Sequence, residues 1–150
     1  MRAVIQRVSN ASVSIGGKIK SAIEKGMVIL LGIEEADTME DVEWLTGKIA
    51  RLRIFDDENG VMNISLIDDD GDAIVVSQFT LHASTRKGNR PSYIKAARPE
   101  QAIPLYEDFI EKLADELGKP VGSGEFGAMM DINLTNNGPV TIIIDSKQKE

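Results

Sequence analysis

The stretch Ala73-Ile74-Val75-Val76-Ser77-Gln78-Phe79-Thr80-Leu81 carries the reading from which the rest of the chain is organised. Its first half is rich in Val and Ile, the pattern of a buried strand. Its second half is polar and backbone-exposing where a plain β-strand would be apolar, which is how a site on the rim of a sheet looks. A second apolar run, Gly26 to Ile33, holds Met27, Val28, Ile29, Leu30 and Leu31 in succession. That run predicts a central strand covered on both faces.

Working outward, Arg2 to Val8 and Ala11 to Ile15 alternate, Gly16-Gly17 turns the chain, and Lys18 to Ile23 follows. An N-terminal β-meander is expected. Val42, Leu45, Ile49 and Leu52 recur every three or four residues and predict a helix from about Met39 to Leu52, capped by Asp37 or Thr38. Ile103, Tyr106, Phe109, Ile110, Leu113 and Leu117 predict a second helix closed by Gly118 and Pro120, with Pro104 leaving its start open. Met129 to Leu134 and Val140 to Ile144 read as two further strands. The expectation is one domain over residues 1–150 of α/β class. Its mixed β-sheets should form a barrel-like or layered core, with two main helices packed on one face.

Composition limits the chemistry. A chain of 150 residues can bury roughly 70% of its unfolded surface without staples. It has no cysteine and a single histidine, His82, which removes thiolate nucleophiles and cysteine-ligated metals from consideration. No apolar run approaches a membrane span, and Arg2 and Arg7 interrupt the N-terminal run without a signal-peptide pattern. A cytoplasmic protein is expected. The net charge of −7 argues against a nucleic-acid partner. Its distribution softens that objection, because Arg86, Lys87, Arg90, Lys95 and Arg98 fall between Leu81 and Pro99 with no acidic residue among them. That basic loop follows directly on the Ser77 to Leu81 segment. A loop made basic only for solubility is the alternative.

Several motifs fail on spacing or context. Gly122-Ser123-Gly124-Glu125-Phe126-Gly127 satisfies a dinucleotide glycine pattern, but a helix precedes it and a strand follows, the reverse of what pyrophosphate binding needs. Asp68 to Asp72 lacks the glycine and glutamate positions of a calcium loop and reads as a polar hairpin turn. His82 shares a strand face with Thr80 alone, so a histidine-activated nucleophile is disfavoured. Asn136-Asn137-Gly138-Pro139-Val140-Thr141 contains a tight-turn pair at Asn137-Gly138, which by itself predicts a hairpin, although Pro139 removes a ladder donor just where the next strand begins.

Without histidine, cysteine or metal, the Ser77 to Leu81 segment supports one kind of chemistry well. Hydrolysis of an activated ester, for example, mainly needs a positioned attacking oxygen and stabilisation of the tetrahedral oxyanion. The backbone amides of Gln78, Phe79 or Thr80 can supply the latter, and the Ser77 and Thr80 hydroxyls can orient an amine or water or act as a nucleophile. The plain alternative is that both hydroxyls close the strand end by bonding backbone groups.

Together, Ser77-Gln78-Phe79-Thr80-Leu81 and Asn136-Asn137-Gly138-Pro139-Val140-Thr141 resemble the paired Ser-Gln-x-Thr-Leu and Asn-x-Gly-Pro-x-Thr signature of the D-aminoacyl-tRNA deacylases. The opening Arg2 to Val13, the Lys87 to Tyr93 loop and the Gly124 to Met130 segment also resemble their family counterparts, so the resemblance spans essentially the whole chain. It implies hydrolysis of D-aminoacyl-tRNA, and of mischarged glycyl-tRNA, by a homodimer without metal or organic cofactor. It further implies a cis Gly138-Pro139 pair that enters the partner subunit's site and excludes L-residues, with Arg7 bracing that loop. Phe126 and Met130 would receive the terminal adenine, and Lys87 and Arg90 would contact the tRNA. The rival readings are a noncatalytic tRNA-binding module and a hydrolase of small D-amino-acid esters.

Overall fold

The computed structural model describes residues 1–150. Strands β1 (Arg2–Ile15), β2 (Lys18–Ile23) and β3 (Gly26–Gly32) open the chain, and helix α1 (Met39–Ala50) follows. The hairpin β4 (Arg53–Asp56) and β5 (Met62–Ser65) leads into a single helical turn, α2 (Leu66–Asp69), and then β6 (Asp72–Ser77). A 3₁₀ turn over Phe79–His82, helix α3 (Pro99–Leu117), the short β7 (Gly122–Ser123) and the long β8 (Asp131–Asp145) complete it. No helix is long and apolar enough to cross a membrane.

The main sheet runs β2-β1-β3-β6-β7, with β8 along the other side of β1. β3, β6 and β7 are parallel, and the remaining pairings are antiparallel. The sheet curls until β2 meets β7. At that seam the Ser21 hydroxyl donates to the Ser123 carbonyl (2.7 Å) and accepts from the Ser123 N–H (3.1 Å), so one side chain nearly closes a barrel.

β3 is covered on both faces, as its unbroken apolar run requires. Met27, Ile29 and Leu31 point to the larger core with Val42, Leu45 and Ile49 of α1 and Tyr106, Phe109 and Leu113 of α3. Val28 points the other way, into a smaller core inside the curled sheet with Val8, Val13, Ile74 and Val76. Both main helices therefore lie on one face. Pro99 stands at the start of α3, while Pro104 sits inside the helix at an exposed position, where water can satisfy the carbonyl its ring leaves unpaired.

Three local expectations are corrected. The N-terminal segment is one strand of 14 residues: its first half pairs with β3 and its second with β2, so β3 returns to β1 and the three do not form a meander. Asp68 to Asp72 is not a hairpin turn, because Ser65 caps a turn of helix by accepting from the Asp68 N–H at 3.2 Å. Most consequential for the site, the Asn137-Gly138 pair does not reverse the chain. β8 continues through it for 15 residues along β1.

The two ends of the chain meet in a buried polar cluster. The Met1 ammonium is ion-paired to Asp37 and donates to Ser146 Oγ at 2.9 Å, while Ser146 Oγ and Lys147 Nζ donate to Asp41 at 2.6 and 2.7 Å. Burial pushes the Asp41 carboxyl up, but the bonds from Lys147, Ser146 and the Thr38 backbone, with the nearby ammonium, outweigh it and hold the pKa at about 2.

Candidate active site

β6 leaves the sheet at Ser77, and the chain then tightens into the 3₁₀ turn. The Gln78 N–H keeps a ladder-like bond to the Leu31 carbonyl at 2.8 Å, so of the three candidate amides Gln78 is already occupied. The N–H groups of Phe79 and Thr80 open the turn, where no intrahelical acceptor exists, and no turn or loop carbonyl takes them. The turn can lie this close to β3 because residue 32 is glycine. A Cβ there would stand 2.9 Å from Leu81 Cβ and 3.1 Å from the Gln78 carbonyl oxygen.

Neither candidate hydroxyl closes the strand end by bonding backbone. Thr80 Oγ1 instead accepts from Gln78 Nε2 at 2.5 Å, which fixes the Gln78 side chain over the turn. His82 is not beside Thr80 on a strand, since the segment is 3₁₀; its ring is buried against Gly32, and its Nε2 has no partner. No histidine-activated hydroxyl is present.

A cavity of about 400 Å³ opens where β6 ends. Ser77, Gln78 and Phe79 line it together with Phe126, Met129 and Met130 from the segment before β8. Phe126 is held from behind by Tyr106, whose ring lies 5.8 Å away at 58° and whose hydroxyl donates to the Val75 carbonyl at 2.9 Å. Burial pushes the Tyr106 phenol up to about 12, against a small opposing effect of the Gly124 backbone, so it remains a neutral donor. The result is an apolar slot with a polar, backbone-rich mouth.

The remaining candidates lie elsewhere. Gly138 and Pro139 do not line this cavity. They form an exposed bulge in β8: Gln6 pairs with Thr141 and Val8 with Asn136, so residues 137–140 stand opposite the single residue Arg7. Asn136 closes the neck of the bulge, donating from Nδ2 to Thr141 Oγ1 (2.9 Å) and accepting from the Val140 N–H (3.0 Å). Arg7 is 7% exposed. It donates to the Asn137 carbonyl (3.1 Å), the Ile54 carbonyl (2.7 Å) and Asp56 Oδ1 (3.0 Å). Gly138 has φ of 125°, and its bond to Pro139 is cis. Thr80 also lies outside the cavity lining, and Lys87 and Arg90 are exposed on the loop beyond it.

The family model described as D-Tyr-tRNA(Tyr) deacylase matches residues 4–145. The chain belongs to that deacylase family. Among curated deacylase relatives, proteins named D-aminoacyl-tRNA deacylase from Bacteroides fragilis (strain YCH46) and Flavobacterium johnsoniae are 67% and 63% identical over 150 residues, covering 100% of both chains in each case. Among solved structures, the c-Myc DNA Unwinding Element Binding Protein superposes with a TM-score of 0.91 at 41% identity, over 97% of this chain and 98% of that one. A probable eukaryotic D-amino acid tRNA deacylase superposes with a TM-score of 0.79 at 17% identity over 95% of this chain and 97% of that one, a likeness of fold.

Tyr93 is the residue that sequence reasoning passed over. It stands edge-on to Phe79, with ring centroids 5.0 Å apart and planes at 71°. Only its place at the end of the loop that resembles the deacylase family pointed toward it.

Proposed function

We propose that this protein is a D-aminoacyl-tRNA deacylase that hydrolyses the ester between a D-amino acid, or mischarged glycine, and the 3′ end of tRNA in the cytoplasm. The observation that carries the reading is that no turn or loop carbonyl takes the N–H groups of Phe79 and Thr80, in the turn that begins at the Phe79 wall of an apolar cavity, in a chain of this family. The terminal adenine occupies the slot between Phe126 and Met130, which places the esterified ribose at the Ser77 to Thr80 rim. The Phe79 and Thr80 amides stabilise the oxyanion formed when water, or the neighbouring ribose hydroxyl, adds to the ester carbonyl. Ser77 and Thr80 orient rather than attack, Gln78 holds Thr80, and Lys87 and Arg90 meet tRNA phosphates.

The active unit in this reading is a homodimer. Its support is that the Gly138-Pro139 bulge is exposed, lies on a strand paired on one side only, and stays out of its own chain's cavity. A second copy would bring that bulge to the cavity, where its backbone leaves space for hydrogen and not for an L side chain.

The test is ester loss from matched D-tyrosyl-tRNA and L-tyrosyl-tRNA with a chelator present. Rapid loss of the D-ester alone is expected. Loss of both removes the chiral filter, and loss of neither removes the enzyme.

A further inference from the structure

The cavity has beside it aromatic side chains that the ester chemistry does not use. Phe79 is 52% exposed although it lines the cavity, and Tyr93, stacked edge-on against it, is 39% exposed without lining the cavity at all. Met129, 90% exposed, also lines the cavity. Aromatic surface is kept in water here beside the slot assigned to the terminal adenosine.

The base of the neighbouring loop is fixed. Ser84 and Ser92 exchange backbone hydrogen bonds of 2.8 and 2.9 Å, closing the neck of the segment that carries Arg86, Lys87 and Arg90. Tyr93 is the first residue past that neck, and its carbonyl accepts from the Ala96 N–H at 3.0 Å. Arg2, Arg7, Lys25, Arg51, Lys119 and Lys147 are tied to carboxylates. Of the cations without such a partner, Lys18, Lys20, Lys48, Arg53, Lys112 and Lys149 are scattered along the chain, whereas Arg86, Lys87, Arg90, Lys95 and Arg98 fall in one segment free of acidic residues. On a chain of net charge −7, unpaired cations that share a scaffold with an exposed aromatic pair fit a polyanion with flat apolar faces. A single-stranded nucleic acid has both features, and a duplex hides the faces.

We propose that the Phe79–Tyr93 pair is a stacking platform for the unpaired nucleotides just before the terminal adenosine of tRNA, with the 86–90 loop on their phosphates. The platform would make the enzyme read a single-stranded tail as well as its last nucleoside. The proposal takes the identity of that strand from the deacylase reading.

The experiment measures binding of the uncharged RNA trinucleotide CCA and of adenosine to the full protein, so that it does not depend on turnover. Tyr93→Ala is expected to weaken the trinucleotide by about 5- to 150-fold, the range for loss of one base–aromatic stack. Adenosine affinity should stay unchanged, and Tyr93→Phe should bind both ligands within about threefold of wild type. Tyr93→Leu retains apolar contact with Phe79 but lacks a π face, and it should behave as Tyr93→Ala. Equal weakening of adenosine and trinucleotide would make Tyr93 a mere prop for Phe79. That result, unchanged trinucleotide binding in Tyr93→Ala, or no trinucleotide binding by the wild type would overturn the platform. Failure of the wild type to hydrolyse a D-ester would instead count against the deacylase reading and leave the binding result standing.

Discussion

The Arg7 guanidinium reaches across from β1 to the Asn137 carbonyl at 3.1 Å, so the bulge in β8 is held by a side chain from the strand it pairs with. The same guanidinium is tied to Ile54 and Asp56, which anchors the bulge to the β4–β5 hairpin. Arg7→Lys keeps the charge but cannot span three acceptors in a planar fork. It should lower stability by about 2 kcal/mol in denaturant titration and reduce D-ester turnover at least about tenfold, because the bulge loses its position. Wild-type turnover in a folded Arg7→Lys protein would show that the brace is dispensable.

Gly138 has no room for a side chain. A Cβ at this position would approach Val140 Cγ2 to 2.8 Å and Arg7 Nη2 to 3.0 Å, and the φ of 125° is one that L-residues rarely adopt. Gly138→Ala should cost about 1–3 kcal/mol locally and change the ratio of D- to L-ester hydrolysis or lower both rates. Unchanged rates on the two enantiomers would sink the assignment of chiral selection to this bulge.

If backbone amides carry the oxyanion, the nearby hydroxyls are not essential. Ser77→Ala and Thr80→Ala should each keep turnover within about tenfold of wild type, a loss smaller than that for removing an oxyanion donor. Thr80→Ala also releases Gln78 Nε2 from its acceptor, so of the two it should be the slower. Complete inactivity in a folded Thr80→Ala protein would identify a hydroxyl nucleophile.

Acid should weaken the polar cluster that joins the chain ends. The Asp41 pKa is lowered from 3.8 to about 2 in the fold. Its ionised form therefore contributes stability above the unfolded value, and that contribution is lost as pH falls from about 4 to 2. Thermal melts across this window should show a steeper decline for the wild type than for Asp41→Asn, which lacks the titrating group and should begin less stable at pH 7. Parallel curves would place the acid sensitivity elsewhere.

Local sequence showed what local forces decide. The runs at β3 and β6 read as buried strands because their burial demands unbroken apolar residues, and α1 follows from its apolar spacing. What was not visible depends on distant partners. Asn137-Gly138 satisfies the pattern of a tight hairpin, but the other arm of the pairing is β1, with one long strand already running past both halves of β8. Likewise β1 reads as two strands because its partner changes midway, at register shifts beside Val8. The polar Ser77 to Leu81 segment announced a site, yet which amides are free depends on Leu31, far away in sequence, claiming Gln78. Tyr93 carries no local signal, since its meaning lies in the ring of Phe79.

The cavity and the bulge occupy different places on one chain, and this makes inheritance of the activity a matter of two surfaces rather than one. In the proposed dimer, a subunit damaged at Ser77 to Thr80 still lends a sound bulge, and one damaged at Gly138 still owns a sound cavity. Mixing the two defective proteins would restore one whole site in each hybrid pair, so a population carrying both lesions could keep the function that either lesion alone abolishes.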